Sequence, residues 1–233
     1  MFPLKSYLSD IIYLFFPETC AACRKALYNN EKWICSPCSL NLPYLDNTIL
    51  SSEAFSRIFW GRVPVEKVWP YLEYKKGLKV QKILHQLKYR NQPELGTFLG
   101  ELAAKKLLTL PSIPHLDCII PVPMHYKKRR SRGYNQAEFI AEGYSNILKI
   151  PVKKEVIAKE KETTSQTRKN RFIRYQNAQN VFKIKDSTQL KQLRSILIID
   201  DVITTGATIE ALINCILTEN PEIKLYVATL AAA

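Results

Sequence analysis

An α/β fold built on a parallel sheet is predicted by two features of the chain. Two short runs, DCIIPV at 117–122 and SILII at 195–199, have the nearly continuous apolar character of strands buried on both faces. After each run, apolar residues recur at helical spacing, within 139–148 and within 209–216. Strands that alternate with helices favour a parallel sheet covered by helices on both sides.

The length and composition support one main domain with a small addition. A chain of 233 residues can form one large hydrophobic core and a satellite module. With 46% hydrophobic and 24% charged residues, the composition disfavours a disordered or low-complexity protein. We divide the chain into an N-terminal helix and cysteine module at 1–45, a helical and irregular hood or linker region at 46–110, and the sheet domain at 111–233.

The segments before the sheet domain contain three predicted helices. The apolar spacing at 1–17 predicts a short amphipathic helix that ends at Pro17. Residues 46–70 are expected to be irregular, with a cluster of aromatic side chains. Helical spacing returns at 80–87 and at 95–103, with the breaker Asn91-Gln92-Pro93 between these two helices.

The remaining elements of the sheet domain are less regular. A weak strand is predicted at Val156–Ala158 and a last strand at Ile223–Leu230. Between them, residues 159–180 are polar, basic and nearly free of aliphatic side chains. A loop of this length in a compact domain is usually a functional lid or a disordered segment, and we predict a mobile lid.

The first residues do not resemble a secretion signal or a membrane anchor. Their apolar run is interrupted by Asp10 and lacks a cleavage site of small residues, which disfavours a signal peptide. The run is also too short to span a bilayer. Together with the arrangement of the cysteines described below, these features predict a cytoplasmic protein without a transmembrane segment.

The formal charge of +13 indicates a polyanionic partner, which could be nucleic acid, anionic lipid or a highly phosphorylated substrate. The excess is concentrated in residues 124–174, where 14 Lys and Arg face only 5 Asp and Glu. A solvated surface would explain part of this charge. Its local concentration favours an anion-binding site.

The segment Ser195–Thr208, SILIIDDVITTGAT, combines a buried strand, two acids and a loop of small and hydroxyl residues that opens a helix. Gly206 lets the backbone approach a ligand closely, and Thr204, Thr205 and Thr208 offer hydroxyl donors. The free amides at a helix start suit a phosphate. Asp200 and Asp201 would need a donor or a cation, such as a ribose diol or a divalent ion, at the edge where open α/β sheets bind ligands.

This segment resembles the signature of type I phosphoribosyltransferases. The resemblance implies a phosphoribosyltransferase-type, Rossmann-like domain that binds 5-phosphoribosyl-1-pyrophosphate with magnesium. It further implies that Asp200 and Asp201 hold the ribose hydroxyls as the catalytic acids, and that the loop Thr204, Thr205, Gly206, Ala207 and Thr208 binds the 5-phosphate. The alternative is a solvated strand end with Thr208 as a helix cap. The chain lacks the GxxxxGK[ST] pattern of common ATPases.

A second basic segment follows the first core strand. Ile120–Gln136, IPVPMHYKKRRSRGYNQ, has two prolines that stiffen the turn, then four consecutive cations and a helix start. A solvated basic loop is the alternative, and His125 is expected to be an ordinary loop histidine.

Five elements of the chain together resemble the ComF family of competence-associated proteins. They are the PVP element, the RGYNQ element, Lys88-Tyr89, the downstream pattern Ser165-Gln166-Thr167…Arg171…Asn177…Phe182 and the paired CxxC motifs. The resemblance covers residues 15–233. It implies that Val122, Pro123, Met124, Arg132 and Gln136 lie on the pyrophosphate side, and that a flexible lid carries Ser165, Gln166, Thr167 and Arg171. Where related transferases place a base-recognising hood near the C-terminus, this chain ends three residues after its last predicted strand, at Ala233. The acceptor, and whether one exists, therefore stays open.

Four of the six cysteines form two CxxC pairs, Cys20 with Cys23 and Cys35 with Cys38, separated by eleven residues. Two such pairs can hold one tetrahedral ion, which predicts a closed, structural zinc site in a reducing compartment. An iron–sulfur cluster and redox chemistry are the alternatives. Cys118 and Cys215 lie in apolar segments and are expected to be core residues.

Two functions remain compatible with the sequence. The first is a phosphoribosyltransferase that transfers phosphoribose to an unknown acceptor. The second is a non-catalytic protein of DNA uptake that binds single-stranded DNA or other uptake proteins, with the phosphoribosyl site used for sensing. Basic residues interleaved with aromatic side chains are the physical basis of single-strand binding.

Overall fold

The computed structural model describes residues 17–28, 30–46, 49–160 and 181–233. The helix predicted at 1–17 lies outside the described residues except for Pro17. Most of the predicted lid also lies outside them, including Ser165, Gln166, Thr167 and Arg171. Within the described part of the chain, no helix combines the length and apolarity needed to cross a bilayer.

A parallel sheet of four strands forms the centre of the molecule, as the sequence predicts. Its strands are β1 (Lys67–Glu73), β2 (Cys118–Pro121), β5 (Ser195–Ile203) and β6 (Lys224–Ala232), in the spatial order β1-β6-β5-β2. In β5, Ile196–Ile199 are fully buried. Burial on both faces explains why this strand is recognisable as one continuous apolar run.

Two short strands lie outside the main sheet. They are β3 (Ile157–Lys159) and β4 (Phe182–Ile184), which pair antiparallel. They flank the stretch 161–180, so the ends of the predicted lid segment are paired with each other. The weak strand expected at Val156–Ala158 corresponds to β3, shifted by one residue.

Helices surround the sheet. They are α1 (Ser36–Leu40), α2 (Ile49–Ser56), α3 (Lys79–Tyr89), α4 (Pro93–Leu108), α5 (Tyr126–Arg132), α6 (Gln136–Leu148), α7 (Ser187–Lys191) and α8 (Ala207–Leu217), and a 3-10 turn follows α2 at Arg57–Phe59. Two of the three helices predicted before the sheet domain, those at 80–87 and 95–103, are confirmed by α3 and α4. Pro93 occupies the first turn of α4, where its missing N–H costs nothing.

The sheet separates two hydrophobic cores. Leu197 and Ile199 of β5 face a core that includes Ile140 of α6, residues of α3 and α4, and the cysteine module. Ile196 and Ile198 face the other core, which is covered by α8. This alternation along one strand is the packing expected for a sheet with helices on both faces.

The region 46–70 is more ordered than expected. It contains α2, the 3-10 turn and the start of β1, which pairs in parallel with β6. Pro70 prevents β1 from being recognised as a strand in the sequence, because proline cannot donate a hydrogen bond to a neighbouring strand. It is tolerated here because β1 is an edge strand of the sheet. The sheet therefore takes one strand from outside the predicted boundary at residue 111.

The basic stretch after β2, which we expected to be a loop, is a short helix, α5. His125 caps its start, with Nδ1 accepting from the backbone N–H of Lys127 at 3.4 Å. Gly133 ends it in the left-handed conformation, with φ of 86°. Asn135 then caps α6 by accepting from the Ala137 N–H at 3.2 Å.

Candidate functional site

A cleft of about 300 Å³ lies at the carboxyl ends of β2 and β5. Its walls come from the ends of these strands, from α3, α5 and β3, and from the starts of α6 and α8. The residues that line it are Lys88, Val122, Pro123, Met124, His125, Lys128, Arg132, Asn135, Gln136, Ala137, Lys159, Asp200, Asp201, Val202, Thr204 and Thr208. Ligands of open α/β sheets bind at this edge.

The structure brings together most of the residues singled out in the sequence. The predicted ligand-binding residues that line the cleft are Asp200, Asp201, Thr204, Thr208, Val122, Pro123, Met124, Arg132 and Gln136. Thr205, Gly206 and Ala207 are not among the lining residues, although they belong to the same loop. The two distant sequence segments thus line one cavity.

Several lining residues were not predicted as ligand-binding residues. Lys88 comes from α3 and Lys159 from β3, both far in sequence from the phosphate motif. Lys128 lies four residues before Arg132 in the same basic run, and it shares a face with Arg132 because the structure makes this run helical. Lys159 had no signal in the sequence beyond its place after a weak strand.

The two adjacent acids have different surroundings. Asp200 Oδ1 accepts from the backbone N–H of Asp201 at 2.8 Å. Asp201 Oδ2 lies 2.7 Å from Lys88 Nζ. Burial and, after it, the charge of Asp201 raise the pKa of Asp200 to about 7, against the attraction of Lys88 and Lys159. One acid is thus neutralised by an ion pair and the other titrates near neutral pH.

This raised pKa predicts how Asp200→Asn changes stability with pH. Between pH 3.8 and about 7, folded Asp200 retains a proton that the unfolded chain has released. Its contribution therefore lowers the free energy of unfolding as pH rises through this window. We expect Asp200→Asn to be more stable than the parent by roughly 1–3 kcal/mol at pH 8, with a much smaller difference at pH 4. Urea denaturation at the two pH values measures both differences.

Asp117 provides a control of opposite sign. Burial opposes its ionisation, but hydrogen bonds from the backbone N–H groups of Arg194 and Ser195 prevail and hold its pKa below the usual value. Asp117→Asn should therefore be less stable than the parent at pH 8, by a margin that shrinks in acid. If Asp200→Asn showed the same sign as Asp117→Asn, Asp200 would not be a carboxyl group with a raised pKa.

The loop between β5 and α8 is fixed by the segment that follows α2. Arg62 Nη1 donates to the carbonyls of Ile58 and Thr205, each at 3.0 Å, and its other nitrogen pairs with Glu210 of α8. Gly206 has a φ of 73°, and a Cβ there would lie 2.8 Å from Phe59 Cε1. A glycine is therefore required by backbone conformation and by this packing.

The loop presents donors to the cleft. Thr204 and Thr208 line it, and Gly206 caps the start of α8. The first backbone N–H groups of a helix have no partner within the helix and lie at the positive end of its dipole. This wall is therefore suited to a phosphate group.

The wall formed by α5 and the start of α6 is basic and contains an unpaired buried donor. Lys128 and Arg132, one turn apart on α5, line the cleft. Arg132 Nη1 donates to Gln136 Oε1 at 3.1 Å. Gln136 is 2% exposed, and its Nε2 has no hydrogen-bond partner within the described part of the chain. Because an unsatisfied buried donor costs about 1–3 kcal/mol, this group is available to an acceptor supplied by a ligand or by water.

Two buried polar side chains hold this wall in place. Asn135 Nδ2 donates to the Val122 carbonyl at 3.0 Å, which joins the turn after β2 to the start of α6. His125 is 4% exposed, and its Nε2 lies 3.1 Å from the Glu160 carbonyl. The expected loop histidine is therefore a buried residue that links α5 to the end of β3.

The four paired cysteines converge at one point, as predicted. The Sγ atoms of Cys20, Cys23, Cys35 and Cys38 all lie within 4.8 Å of one another, and those of Cys23 and Cys35 are 3.7 Å apart. Tetrahedral zinc bound by thiolates at about 2.3 Å requires sulfurs about 3.8 Å apart, so the cluster fits such an ion. Cys118 is fully buried in β2, in agreement with its predicted core role.

Comparisons with known proteins are consistent with this architecture. The family model of the phosphoribosyl transferase domain matches residues 135–233. Competence protein F of Haemophilus influenzae is 26% identical over 205 residues, which cover 84% of this chain and 89% of that protein. The DNA utilization protein YhgH of Escherichia coli O157:H7 is 27% identical over 208 residues, with the same coverage of 84% and 89%.

Among solved structures, glutamine phosphoribosylpyrophosphate (PRPP) amidotransferase from B. subtilis, complexed with ADP and GMP, is similar to this chain with a TM-score of 0.42 and 15% identity. The similarity covers 62% of this chain and 30% of the amidotransferase. The sequence relatives confirm the resemblance inferred from the motifs. The chain is thus similar to competence protein F over most of its length, with a match to the phosphoribosyl transferase domain at residues 135–233 and a cluster of four cysteines near the N-terminus.

Proposed function

We propose that the cleft binds 5-phosphoribosyl-1-pyrophosphate together with magnesium, and that the protein uses this site in natural competence. The observation that carries the proposal is the combination of groups that line one cavity. The acid pair Asp200 and Asp201 shares the cavity with the hydroxyl groups at the start of α8 and with the cations of α5. A ribose that carries a phosphate and a pyrophosphate requires the same combination of groups.

Each wall has a distinct task in this proposal. Asp200 and Asp201 accept hydrogen bonds from the ribose hydroxyls, and Thr204 and Thr208 donate to the 5-phosphate. On the other wall, Lys128, Arg132 and the unpaired Nε2 of Gln136 donate to the pyrophosphate. Charged hydrogen bonds of this kind are shorter and stronger than neutral ones.

The charge of the cleft favours a highly anionic ligand. Its lining includes the cations Lys88, Lys128, Arg132 and Lys159 against the two acids. An excess of positive charge in a concave site raises the local concentration of an anionic ligand. The acid pair also provides the hard oxygen ligands that magnesium prefers. When bound, magnesium would neutralise charge on the departing pyrophosphate.

Whether phosphoribose is transferred to an acceptor is a separate question from binding. In a transferase, the donors on α5 and α6 would stabilise the charge that develops on pyrophosphate, which is the usual electrostatic contribution of such a site. We therefore expect binding in calorimetry with the magnesium complex. Incubation with isotope-labelled ligand and a panel of nucleobases and DNA distinguishes the two functions: released pyrophosphate indicates an enzyme, and binding without release indicates a sensor.

A role in DNA uptake is supported by the names of the relatives, a competence protein and DNA utilization proteins. We propose single-stranded DNA as a partner, and other DNA-uptake proteins as further candidates. The cations of α5 are accompanied by Tyr126, which is 65% exposed, and Tyr89 on α3 is 61% exposed. Exposed rings beside basic residues can stack with bases while the cations contact phosphates. The reduced thiols of the cysteine cluster suit the cytoplasm, which is the compartment we propose.

We further propose that the cysteine cluster holds structural zinc, with iron as the alternative. Four thiolates complete a tetrahedral shell and leave no position for a substrate. Residues around the cysteines, including Ala21, Leu27 and Leu42, are buried in the same core as α4 and α6. The metal would thus organise a module that covers one face of the main core.

The zinc proposal predicts the effect of Cys35→Ser. Loss of one metal-binding thiolate should lower the metal content from about one zinc per chain. Because metal affinity in such modules contributes folding free energy, unfolding should then begin in the N-terminal module. Binding of the phosphoribosyl ligand in the cleft should be less affected. Elemental analysis and limited proteolysis measure the two effects, with Cys118→Ser as the control outside the cluster. Stoichiometric iron, or no metal in the parent, would contradict the zinc assignment.

A further inference from the structure

Lys88 reaches the acid pair from outside the strands that carry it. It lies in the last turn of α3, whose other face is anchored in the core by Ile83, Leu84 and Leu87. The Leu87 carbonyl also accepts from the Tyr134 hydroxyl, which joins the end of α3 to the loop before α6. The backbone that carries Lys88 is therefore held on both sides.

The contact between Lys88 and Asp201 is partly withdrawn from solvent. Nζ and Oδ2 are 2.7 Å apart, and the two side chains are 23% and 14% exposed. Ion pairs of this burial are less screened than surface pairs, and losing one partner leaves the other charge uncompensated.

The other cations near the acid pair are differently placed. Lys159 Nζ lies 5.3 Å from the centre of the Phe182 ring, a cation–π contact. Burial and, after it, the charge of Lys128 lower the pKa of Lys159. Both lysines line the cleft. Among the described residues, Lys88 is the cation in direct ion-pair contact with Asp201. Of the three, it is therefore the one that a metal bound by Asp201 must displace.

An ammonium group on Asp201 competes with a divalent cation for the same carboxylate. A carboxylate oxygen in contact with Lys88 cannot also bind a divalent ion without placing like charges a few ångströms apart. Lys88 must move before such an ion binds. A polyphosphate in the same cleft offers Lys88 another anion, so the displacement costs less when this ligand is present.

We propose that Lys88 is the counter-ion of the acid pair in the free protein and makes divalent-cation binding dependent on the phosphorylated ligand. The inference rests on the proposed function, because it assumes that the cleft takes a polyphosphate with a divalent cation. It adds a specificity determinant to that site: the free ion is excluded, and the ion complexed with polyphosphate is accepted. By linkage, the ion and the anion then favour each other's binding by the same factor.

The test uses Mn²⁺ as the probe ion and inorganic pyrophosphate as the probe anion. Lys88→Met removes the ammonium while keeping an unbranched side chain. Lys82→Met makes the same change at an exposed position of the same helix and is the matched control. Paramagnetic resonance gives the affinity for free Mn²⁺. Calorimetry compares metal-free pyrophosphate, kept in chelator, with its preformed Mn²⁺ complex.

We expect Lys88→Met to bind free Mn²⁺ roughly tenfold more tightly than the parent, within the range of about 5- to 150-fold usual for coupled sites. Its preference for the complex over metal-free pyrophosphate should shrink, and Lys82→Met should behave like the parent. A gain of metal binding is not expected from a purely structural role. If Lys88→Met does not fold, Lys88→Gln tests the same charge.

Two failures are distinguishable. If the parent binds the Mn²⁺–pyrophosphate complex but removal of the Lys88 charge leaves the affinity for free Mn²⁺ unchanged, the inference about Lys88 is overturned and the proposed function stands. If the parent binds neither pyrophosphate nor its complex, the proposed function is contradicted, and the inference that rests on it falls as well.

Discussion

Replacement of both acids, Asp200→Asn with Asp201→Asn, is expected to weaken binding of magnesium and 5-phosphoribosyl-1-pyrophosphate by about 2–4 kcal/mol, or roughly 30- to 1,000-fold. A hydrogen bond to a charged group contributes about 1.5–3 kcal/mol. The two acids are adjacent and share the surroundings of Lys88, so their effects should not be fully additive.

The direction of this effect is informative. The ligand is a polyanion, and removing negative charge from the cleft would strengthen its binding if only the overall field mattered. The double variant also releases Lys88 from Asp201, which adds an available cation. Weaker binding can therefore be explained only by specific acceptance of ribose hydroxyls or of the cation by these carboxylates.

Calorimetry measures the loss, and a charge-matched control is available elsewhere on the surface. Glu66→Gln with Glu155→Gln neutralises two exposed acids and should leave the affinity unchanged. Metal content and circular dichroism should be the same in all three proteins. If the Asp200 and Asp201 variant bound the ligand as tightly as the parent, the assignment of the ribose site would have to be abandoned.

The contiguous part of the site was predictable from sequence. β5, the acid pair and the start of α8 follow one another within Ser195–Thr208, so their spatial relation is fixed by a strand, a turn and a helix. The paired cysteines were predictable for a similar reason, since each CxxC places two sulfurs in one turn. In both cases short-range geometry determines which atoms meet.

The parts that depend on long-range packing were not predictable. Lys88 and Arg62 reach the site from α3 and from the turn after α2, more than a hundred residues before the acid pair and loop that they contact. Their partners become known only when the strand order is known. The edge strand β1 was missed because Pro70 interrupts its pattern, and only the position of β1 at the edge of the sheet, beside β6, explains why proline is accepted there.

α5 illustrates how a basic run acquires two different faces once it is helical. Lys128 and Arg132 line the cleft, and Arg129 Nη1 lies 3.2 Å from Glu138 Oε1. Lys127 and Arg130 are exposed and, at about 100° per residue, lie together on the side away from Lys128. The sequence alone presents these cations as one cluster, and the helix assigns them to different surfaces.

This division predicts two separable effects from equal changes of charge. Lys127→Glu with Arg130→Glu should weaken binding of single-stranded DNA by roughly 10- to 100-fold at low salt and flatten the log–log salt slope by about 1.4, taking about 0.7 per phosphate contact. Its affinity for the phosphoribosyl ligand should stay within about twofold of the parent, because neither side chain lines the cleft and salt weakens the interactions of exposed charges.

Lys128→Glu with Arg132→Glu is the matched variant, because it changes the net charge of +13 by the same amount. It removes two donors from the basic wall and should abolish binding of the phosphoribosyl ligand. Its effect on the affinity for DNA should be smaller than that of Lys127→Glu with Arg130→Glu.

Fluorescence anisotropy of a labelled oligonucleotide over a salt series, with calorimetry of the phosphoribosyl ligand, measures all four outcomes. Equal losses of DNA affinity in the two variants would show that DNA responds to the overall field of the protein, and the outer face of α5 would then not be its binding surface.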